Sequence, residues 1–247
     1  MRSAPPRHID TIRYMFKPWL GCLLLIIASA SRSAHAETAV SIISEPRHHL
    51  VLENDYARVF KVDVPPHTST LMHQHEHAYV YVVLGPAEIE NEVQGKPPAK
   101  KIRFVDGETN LLDGGFAHRV RNLAETPFRN ITIEILRKPP PSAKRELQWR
   151  GLSVDSGFAI DTMFDTDAVR VSEIKLMPGA TLPRHKHSLP HLAVAISDLD
   201  LGNVVQGASA KRVHQKAGDF TWLKARVSHS ITNVGTEPAR WVSVEFK

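Results

Sequence analysis

Internal duplication constrains the fold of this 247-residue chain more than any other feature of its sequence. The segment ARVFKVDVPPHTSTLMHQHEH at 57–77 aligns with VRVSEIKLMPGATLPRHKHSL at 169–189, an offset of 112 positions. A later pair, DGETNLLDGGFAHRVRN at 106–122 and AGDFTWLKARVSHSITN at 217–233, aligns at an offset of 111. The chain therefore contains two copies of one unit, and both copies are expected to form the same supersecondary structure.

Short alternating segments in both copies predict β-strands. They are rich in β-branched residues, as in RVFKVDV, YVYVV, RVSEIKL and WVSVEF, and Gly, Pro, Asn and Asp separate them. The sequence after residue 36 has no stretch of sustained helical periodicity. We therefore predict an all-β fold with two domains, each made of many short strands.

The first 36 residues have the pattern of a secretory signal peptide. Arg13 and Lys17 precede an apolar run from Trp19 to Ala30, and the small residues AHA at 34–36 offer a cleavage point. The apolar run is short for a membrane span, and no later segment approaches one. We expect a mature chain that is periplasmic or secreted and has no stable membrane span after cleavage.

Removal of this leader would change the charge of the chain. Residues 1–36 hold five of the 31 Lys/Arg and one of the 26 Asp/Glu, so the formal net charge would fall from +5 to +1. The basic balance of the full chain therefore gives no reason to expect nucleic-acid binding. Cys22 is the single cysteine and lies in the leader, which leaves a mature chain without disulfides.

The duplication and the leader divide the chain into four predicted parts: a signal peptide at 1–36, a first domain at 37–137, a Pro-rich linker at 138–161 and a second domain at 162–247. Within the linker, Pro139, Pro140 and Pro141 favour extended backbone over sheet or helix. Two equivalent domains in one chain are compatible with a monomer or with a homodimer.

Each copy contains a His-x-His pair and a third histidine further along the chain. These residues are His73, His75 and His118 in the first copy, and His185, His187 and His229 in the second. Residues i and i+2 of a strand point to the same face, so the two imidazoles of each pair project in parallel. Such pairs suit a metal ion, which needs imidazoles converging from a rigid backbone.

The residues around these histidines resemble the motifs of the cupin family, and the chain as a whole resembles a two-domain cupin, or bicupin. The first family motif places a glycine six positions before His-x-His and usually a glutamate shortly after it. Gly179 fits this motif in the second copy, whereas His67 replaces the glycine in the first.

The second family motif combines two glycines, a proline, a histidine and an asparagine. The matching residues are Gly107, Gly115, His118 and Asn122 in the first copy, and Gly218, His229 and Asn233 in the second. Asp113 replaces the proline in the first copy, and Lys224 and Arg226 replace the proline and one glycine in the second. The resemblance covers nearly all of both copies.

The resemblance implies a small antiparallel jelly-roll barrel in each copy, with one divalent metal held inside it by the three histidines and the glutamate. Here Tyr79 and His191 occupy the two glutamate positions. The implied ligand sets are His73, His75 and His118 in the first barrel, and His185, His187, His191 and His229 in the second. Neutral nitrogen ligands favour a divalent transition metal such as iron, manganese, nickel or zinc.

Other residues near the motifs have candidate roles as well. Tyr79 is a candidate catalytic residue, as a pocket donor or proton carrier, and His77 is an alternative fourth ligand on the same strand face. The histidines without partners at ligand spacing are expected at the surface or in loops: His48, His49, His67 and His214. Tyr81 and Trp222 are expected to fill cores, and Asn122 and Asn233 are expected to fix the turns after the second motif.

Three functions are compatible with this sequence. The first is an exported metal-dependent dioxygenase in which the ion holds dioxygen and a small organic molecule. The second is a protein that binds a small ligand through its metal without turnover. The third is a structural cupin whose histidines are relics, because the fold alone does not determine an activity.

Overall fold

The computed structural model describes residues 37–137, 151–155 and 157–247, with the backbone alone for 151–155. The predicted signal peptide at 1–36 and the prolines at 139–141 lie outside the described residues. Within the part of the chain that is described, no helix has the length and apolar character needed to cross a membrane.

Strands dominate the described chain, which confirms the all-β prediction. The strands of the first repeat are β1 (Val40–Ser41), β2 (His48–Glu53), β3 (Ala57–Val64), β4 (His73–His75), β5 (Tyr79–Leu84), β6 (Ala87–Val93), β7 (Lys96–Phe104), β8 (Thr109–Leu112), β9 (Phe116–Asn122) and β10 (Phe128–Ile135). The strands of the second repeat are β11 (Gly151–Asp155), β12 (Phe158–Asp165), β13 (Val169–Leu176), β14 (Thr181–His187), β15 (His191–Ala195), β16 (Leu199–Val205), β17 (Lys211–Gln215), β18 (Phe220–Leu223), β19 (Val227–Asn233) and β20 (Ala239–Phe246). A 3-10 turn, Ile42–Ser44, follows β1.

The strands of each repeat form two sheets. The first repeat has the strand orders β1-β4-β9-β6-β7 and β2-β3-β10-β5-β8, and the second has β14-β19-β16-β17 and β11-β12-β13-β20-β15-β18. Strands β3 to β10 recur in the same neighbour relations as β13 to β20, so the duplication seen in the sequence is a duplication of topology. Each repeat is a double-sheet jelly roll, as predicted.

The second barrel begins before the predicted boundary at residue 162. Strands β11 and β12 pair antiparallel, with Gly151 opposite Thr162, inside the segment that the sequence assigned to a linker. The linker prediction at 138–161 is therefore too long, because the described residues from 151 onward belong to a sheet. The three prolines dominated the composition of this segment, and β11 has no counterpart in the alignment of the two copies.

Alternation along the strands creates two separate apolar layers. In β5, Val80, Val82 and Leu84 belong to a core that also contains residues of the second repeat, such as Leu192 and Val194 of β15. The intervening residue Val83 packs in a core inside the first barrel. The two barrels therefore share one buried face, and residues Glu37–Lys247 form a single compact unit. The assignment of two separate domains stays a prediction.

Asn122 and Asn233 have the turn-fixing role that the sequence predicted. The Asn122 side-chain amide donates to the carbonyls of Val64 and Thr126 at 2.9 and 2.8 Å, and its Oδ1 accepts from the Ala124 backbone N–H at 3.0 Å. Asn233 makes the equivalent bonds to Leu176, Glu237 and Gly235. Each asparagine thus ties the end of its motif-two strand to two neighbouring segments.

The two residues that replace motif glycines, His67 and Arg226, keep the positive φ angle that is typical of glycine. His67 has φ 57° where the second repeat has Gly179 at φ 74°, and Arg226 has φ 66° where the first repeat has Gly115 at φ 86°. A residue with a Cβ is disfavoured in this left-handed region by roughly 1–2 kcal/mol. The turns are therefore fixed by the surrounding sheets even where glycine has been lost.

Candidate metal centres

Strand register brings the two histidine motifs of each repeat together. In the first barrel β4 pairs with β9 so that His73 lies directly opposite His118. In the second barrel β14 pairs with β19 so that His185 lies directly opposite His229. The second histidine of each pair, two residues further along, points to the same side of the sheet.

Both triads converge inside their barrels. In the first barrel the ring centroids of His118 lie 4.5 Å from His73 and 5.1 Å from His75. In the second barrel the rings of His185 and His187 lie 4.6 and 5.3 Å from His229. One ligand nitrogen from each of the three second-barrel histidines lies within 4.8 Å of the other two, and in the first barrel the same holds for His73 and His75 together with His48. The structure thus brings together the predicted ligands of each triad.

Five of the six triad histidines hydrogen-bond through Nδ1, with equivalent partners in the two barrels, whereas Nδ1 of His75 is buried without a hydrogen-bond partner in the described chain. His73 and His185 face the carbonyls of Leu71 and Pro183 at 2.9 and 2.7 Å, and His118 and His229 face Oδ1 of Asn91 and Asn203 at 2.9 and 3.1 Å. His187 Nδ1 faces Oε1 of Glu245 at 3.0 Å, and His75 Nδ1 lies 3.9 Å from Oε1 of Glu134. A proton donated from Nδ1 leaves the lone pair on Nε2, the arrangement typical of metal-binding histidines.

Several imidazole nitrogens at the centres of the triads are buried without a hydrogen-bond partner in the part of the chain that the structure describes. The Nε2 atoms of His73, His118 and His229 are buried and have no hydrogen-bond partner among the described residues. A buried polar atom without a partner is costly, so such atoms usually mark a site filled by something else. Three orphaned nitrogens at the centres of two histidine triads fit a divalent metal.

Glu134 and Glu245 are site residues that the sequence interpretation missed. They occupy equivalent positions in the last strand of each repeat, 111 residues apart, and this identity at aligned positions was the available signal. Burial raises the pKa of Glu134 to about 7, although the nearby charge of Arg58 acts to lower it. The hydrogen bond from His187 lowers the pKa of Glu245, which keeps that carboxylate charged beside its histidine.

Tyr79 and His191 stack on the triads at the family's glutamate position. The Tyr79 ring lies 3.9 Å from the His75 ring at 16°, and the His191 ring lies 3.9 Å from the His187 ring at 22°. Burial raises the pKa of the Tyr79 hydroxyl above its ordinary value of 10.0. A catalytic role for Tyr79 stays a prediction, and so does metal binding by His191.

His48 contradicts the prediction that it lies at the surface. It is buried, its ring centroid is 4.6 Å from that of His73, and its ligand nitrogen lies within 4.8 Å of those of His73 and His75. The prediction failed because His48 precedes the aligned repeat, and only the pairing of β2 with β3 places it inside the barrel. The alternative ligand His77 is half-buried and is not part of this converging group.

The remaining predictions for single side chains agree with the structure. His49 is exposed, and the side chains of His67 and His214 are 53% and 65% exposed. Trp222 packs against Phe246 in the face shared by the barrels, with ring centroids 5.3 Å apart. Tyr81 packs against the apolar core of the first barrel.

The two triads line cavities of different size. The second barrel encloses about 510 Å³ of space beside its triad, and apolar residues such as Ile174, Leu201 and Trp241 line it. The first barrel has about 110 Å³ beside His73 and His118. The second cavity falls within the range of small-molecule sites, which is roughly 300–1,000 Å³.

Burial lowers the pKa of the site histidines. The pKa values of His73, His191 and His229 fall from the ordinary 6.5 to about 4, because desolvation disfavours the charged ring and neighbouring histidines add repulsion. The pKa values of His75, His118 and His185 are also lowered, again mainly by burial. Neutral rings near pH 7 are the form that binds metal.

These shifts predict acid sensitivity of the metal-free protein. Below pH 6.5 the unfolded chain protonates its histidines while His73, His191 and His229 stay neutral in the folded state down to about pH 4. The free energy of unfolding is expected to fall over this window, by roughly 1 kcal/mol per pH unit for each proton that is taken up on unfolding. Glu134 has the opposite effect on the free energy of unfolding. Its pKa is raised to about 7 in the folded state, so its protonation stabilises the folded state by a comparable amount per pH unit as the pH falls from about 7 to 4.5.

Urea unfolding of chelator-treated protein between pH 7.5 and 4.5 measures this dependence. The variant His214→Ala is the control, because that histidine is exposed and its removal should leave the slope unchanged. A free energy of unfolding that stays constant from pH 6.5 to 4.5 would show that the buried histidines do not resist protonation.

Comparison with known proteins agrees with this architecture. No family model matches the sequence, and no curated protein matches it. Solved structures do match: a Bacillus subtilis oxalate decarboxylase studied for its Mn(II) centres has a TM-score of 0.56 at 14% identity, covering 81% of this chain and 75% of its own. The oxalate decarboxylase–formate complex of Lactobacillus farciminis has a TM-score of 0.57 at 12% identity, covering 81% and 84%.

A further match is AerE from Microcystis aeruginosa, with a TM-score of 0.55 at 12% identity, covering 82% of this chain and 98% of its own. Identities this low establish a shared fold and leave the activity open. The paired jelly-roll barrels, the internal duplication and these structural neighbours lead to one conclusion: this chain has the cupin fold, in a form with two barrels.

Proposed function

We infer that this chain is an exported metal-dependent cupin whose second barrel acts as a dioxygenase on a small organic molecule. The observation that carries this proposal is the triad of His185, His187 and His229 at the wall of a cavity of about 510 Å³. Three neutral ligands on one side of an ion leave positions open to the cavity, as in catalytic rather than structural sites. The leader pattern in the sequence supports the export.

The ligand chemistry narrows the choice of metal. Imidazoles without a carboxylate suit iron, manganese, nickel or zinc better than hard cations such as magnesium. A bound redox-active ion would supply open coordination positions where substrate and dioxygen meet. The Mn(II) centres named for the Bacillus subtilis oxalate decarboxylase support a transition metal in this fold.

The chain's own residues orient the site and exclude water. Glu245 fixes the ring of His187, and it is also approached by Arg170 at 3.7 Å, so its position is defined from two sides. The apolar walls contributed by Leu201 and Trp241 favour a substrate with a hydrocarbon body and a polar group directed at the triad. The cavity volume exceeds what a two-carbon acid requires.

Ligand capture without turnover is the second candidate, and the charged lining of the cavity favours it. Among the described residues, the ionisable side chains other than histidine that line this cavity are Arg170, Arg184 and Glu245. Glu245 already accepts from His187, and His191, the other imidazole of this lining beside the triad, has its pKa lowered to about 4 by burial and is therefore a weak base near pH 7. Such a lining suits either a reaction in which the metal supplies the chemistry or the binding of a ligand without any reaction.

The test is metal content followed by dioxygen uptake, on mature protein without a His-tag. We expect one or two transition-metal ions per chain and dioxygen consumption with a member of a panel of phenols, diketones and thiols. Chelation should abolish uptake and reloading should restore it. Tight binding without consumption would favour ligand capture, and folded protein without metal would contradict both functions.

A further inference from the structure

A fourth histidine enters the first barrel from outside the cupin motifs. The ring of His48, on β2, lies 4.6 Å from His73 and 6.1 Å from His75, measured between centroids. The equivalent residue of the second repeat is Ile160, because His48 pairs with Val62 and Ile160 pairs with the aligned Ile174. The fourth histidine is therefore a feature of the first barrel alone.

Glu45 holds His48 in an orientation suited to a ligand. Its Oε2 accepts from Nδ1 of His48 at 2.6 Å and from the Arg47 backbone N–H at 2.8 Å. Its Oε1 accepts from the Leu71 backbone N–H at 3.1 Å. Since Nδ1 gives its proton to Glu45, the lone pair of the ring is on Nε2.

Leu71 connects this carboxylate to the triad. Its N–H donates to Glu45, and its carbonyl accepts from Nδ1 of His73 at 2.9 Å. One short chain of hydrogen bonds therefore sets the rings of His48 and His73 together. A carboxylate that orients a histidine is a recurring support of metal ligands, and Glu45 is itself only 2% exposed.

The histidines of this group are buried. His73 and His75 are 0% and 1% exposed, and His48 and His118 are each 8% exposed. The space beside them is about 110 Å³, against about 510 Å³ in the second barrel. Structural metal sites have four protein ligands, whereas catalytic sites keep a position open, so four buried imidazoles beside a small cavity resemble the structural class.

We propose that the first barrel binds a divalent transition metal through His48, His73 and His75, whose ligand nitrogens converge within 4.8 Å, with His118 from the paired strand as the fourth ligand. This site fastens the strand β2 to the barrel and takes no substrate. The inference rests on the proposed function only in that both require metal binding by a cupin triad. A tetrahedral set of four imidazoles suits zinc, or cobalt(II) as its spectroscopic substitute.

Cobalt(II) loading tests this site in a parent variant that carries both His187→Ala and His229→Ala, because these changes leave only two of the four predicted ligands of the second barrel. We expect one cobalt per chain with the intense visible absorption of tetrahedral cobalt, unchanged by added azide. Adding His48→Ala should weaken cobalt binding at least about 100-fold and reduce the absorption, as expected for a lost ligand. Adding His49→Ala, the exposed neighbour on the same strand, should change neither.

The outcomes separate this inference from the proposed function. If the variant with His48→Ala added binds cobalt with the affinity and spectrum of its parent, His48 is not a ligand and the inference fails. If wild-type protein binds one metal and the parent variant binds none, the first barrel holds no metal, and the proposed function stands without the inference. His48→Gln keeps much of the side-chain volume and replaces His48→Ala if the latter does not fold.

Discussion

The His229→Ala variant is expected to lose the metal of the second barrel and at least about 100-fold in turnover. Loss of a residue that only supports a ligand costs up to about 100-fold, so loss of a ligand itself should cost at least as much. His229 lies opposite His185 in the sheet, and its Nε2 is buried without a partner. Its removal leaves two of the three converging nitrogens. Metal analysis and dioxygen uptake on the same samples measure both effects.

The equivalent residue of the first barrel supplies the matched comparison. His118→Ala removes the corresponding nitrogen of the first triad, so this variant and His229→Ala should each retain the metal of the other barrel. His214→Ala, at an exposed histidine of the second repeat, should keep the full metal content and the full turnover. Equal turnover in His229→Ala and wild-type protein would place the activity outside the second barrel.

The repeat made the strands and the two triads predictable from the sequence. A duplicated His-x-His in alternating strands fixes the face of each imidazole, and the third histidine recurs in the same frame in both copies. Equal spacing of the histidines in the two copies predicts equal strand registers in the two barrels. The cross-strand pairs His73–His118 and His185–His229 show this equality. These features depend on local periodicity and on comparison of the two copies, and both are present in one sequence.

The residues that support the triads were not predictable in the same way. Glu134 and Glu245 approach the histidines from the last strand of each repeat, which belongs to the sheet opposite the triad strands, so only the packing of the two sheets brings them together. His48 lies before the aligned unit and reaches His73 through the pairing of β2 with β3. Contacts between strands distant in sequence depend on topology, which spacing along the chain does not reveal.

The two barrels differ at several positions around their shared triad geometry. Tyr79 and His191 stack at the same place, and His48 and Ile160 occupy the same strand position. The larger cavity lies in the barrel that has isoleucine at this position. A duplication thus permits one copy to stabilise the fold while the other keeps space for a ligand.

The Val82→Asp variant is expected to lose at least about 4 kcal/mol of unfolding free energy, because it buries an unpaired carboxylate. Val82 is 0% exposed in the core that residues of both repeats share. Val105→Asp makes the same exchange at a side chain that is 68% exposed, so its effect should stay within about 0.5 kcal/mol. Urea unfolding followed by far-ultraviolet circular dichroism compares the two variants.

Tryptophan fluorescence then shows whether the damage crosses from one barrel to the other. The tryptophans after the predicted leader are Trp149, Trp222 and Trp241, all beyond the first repeat. Because Val82 and Leu192 belong to one buried core, a charge placed in the first repeat should lower the unfolding midpoint reported by these tryptophans as well. An unchanged fluorescence midpoint would mean that the second barrel keeps its stability without the first, so that the shared face contributes little to its folding.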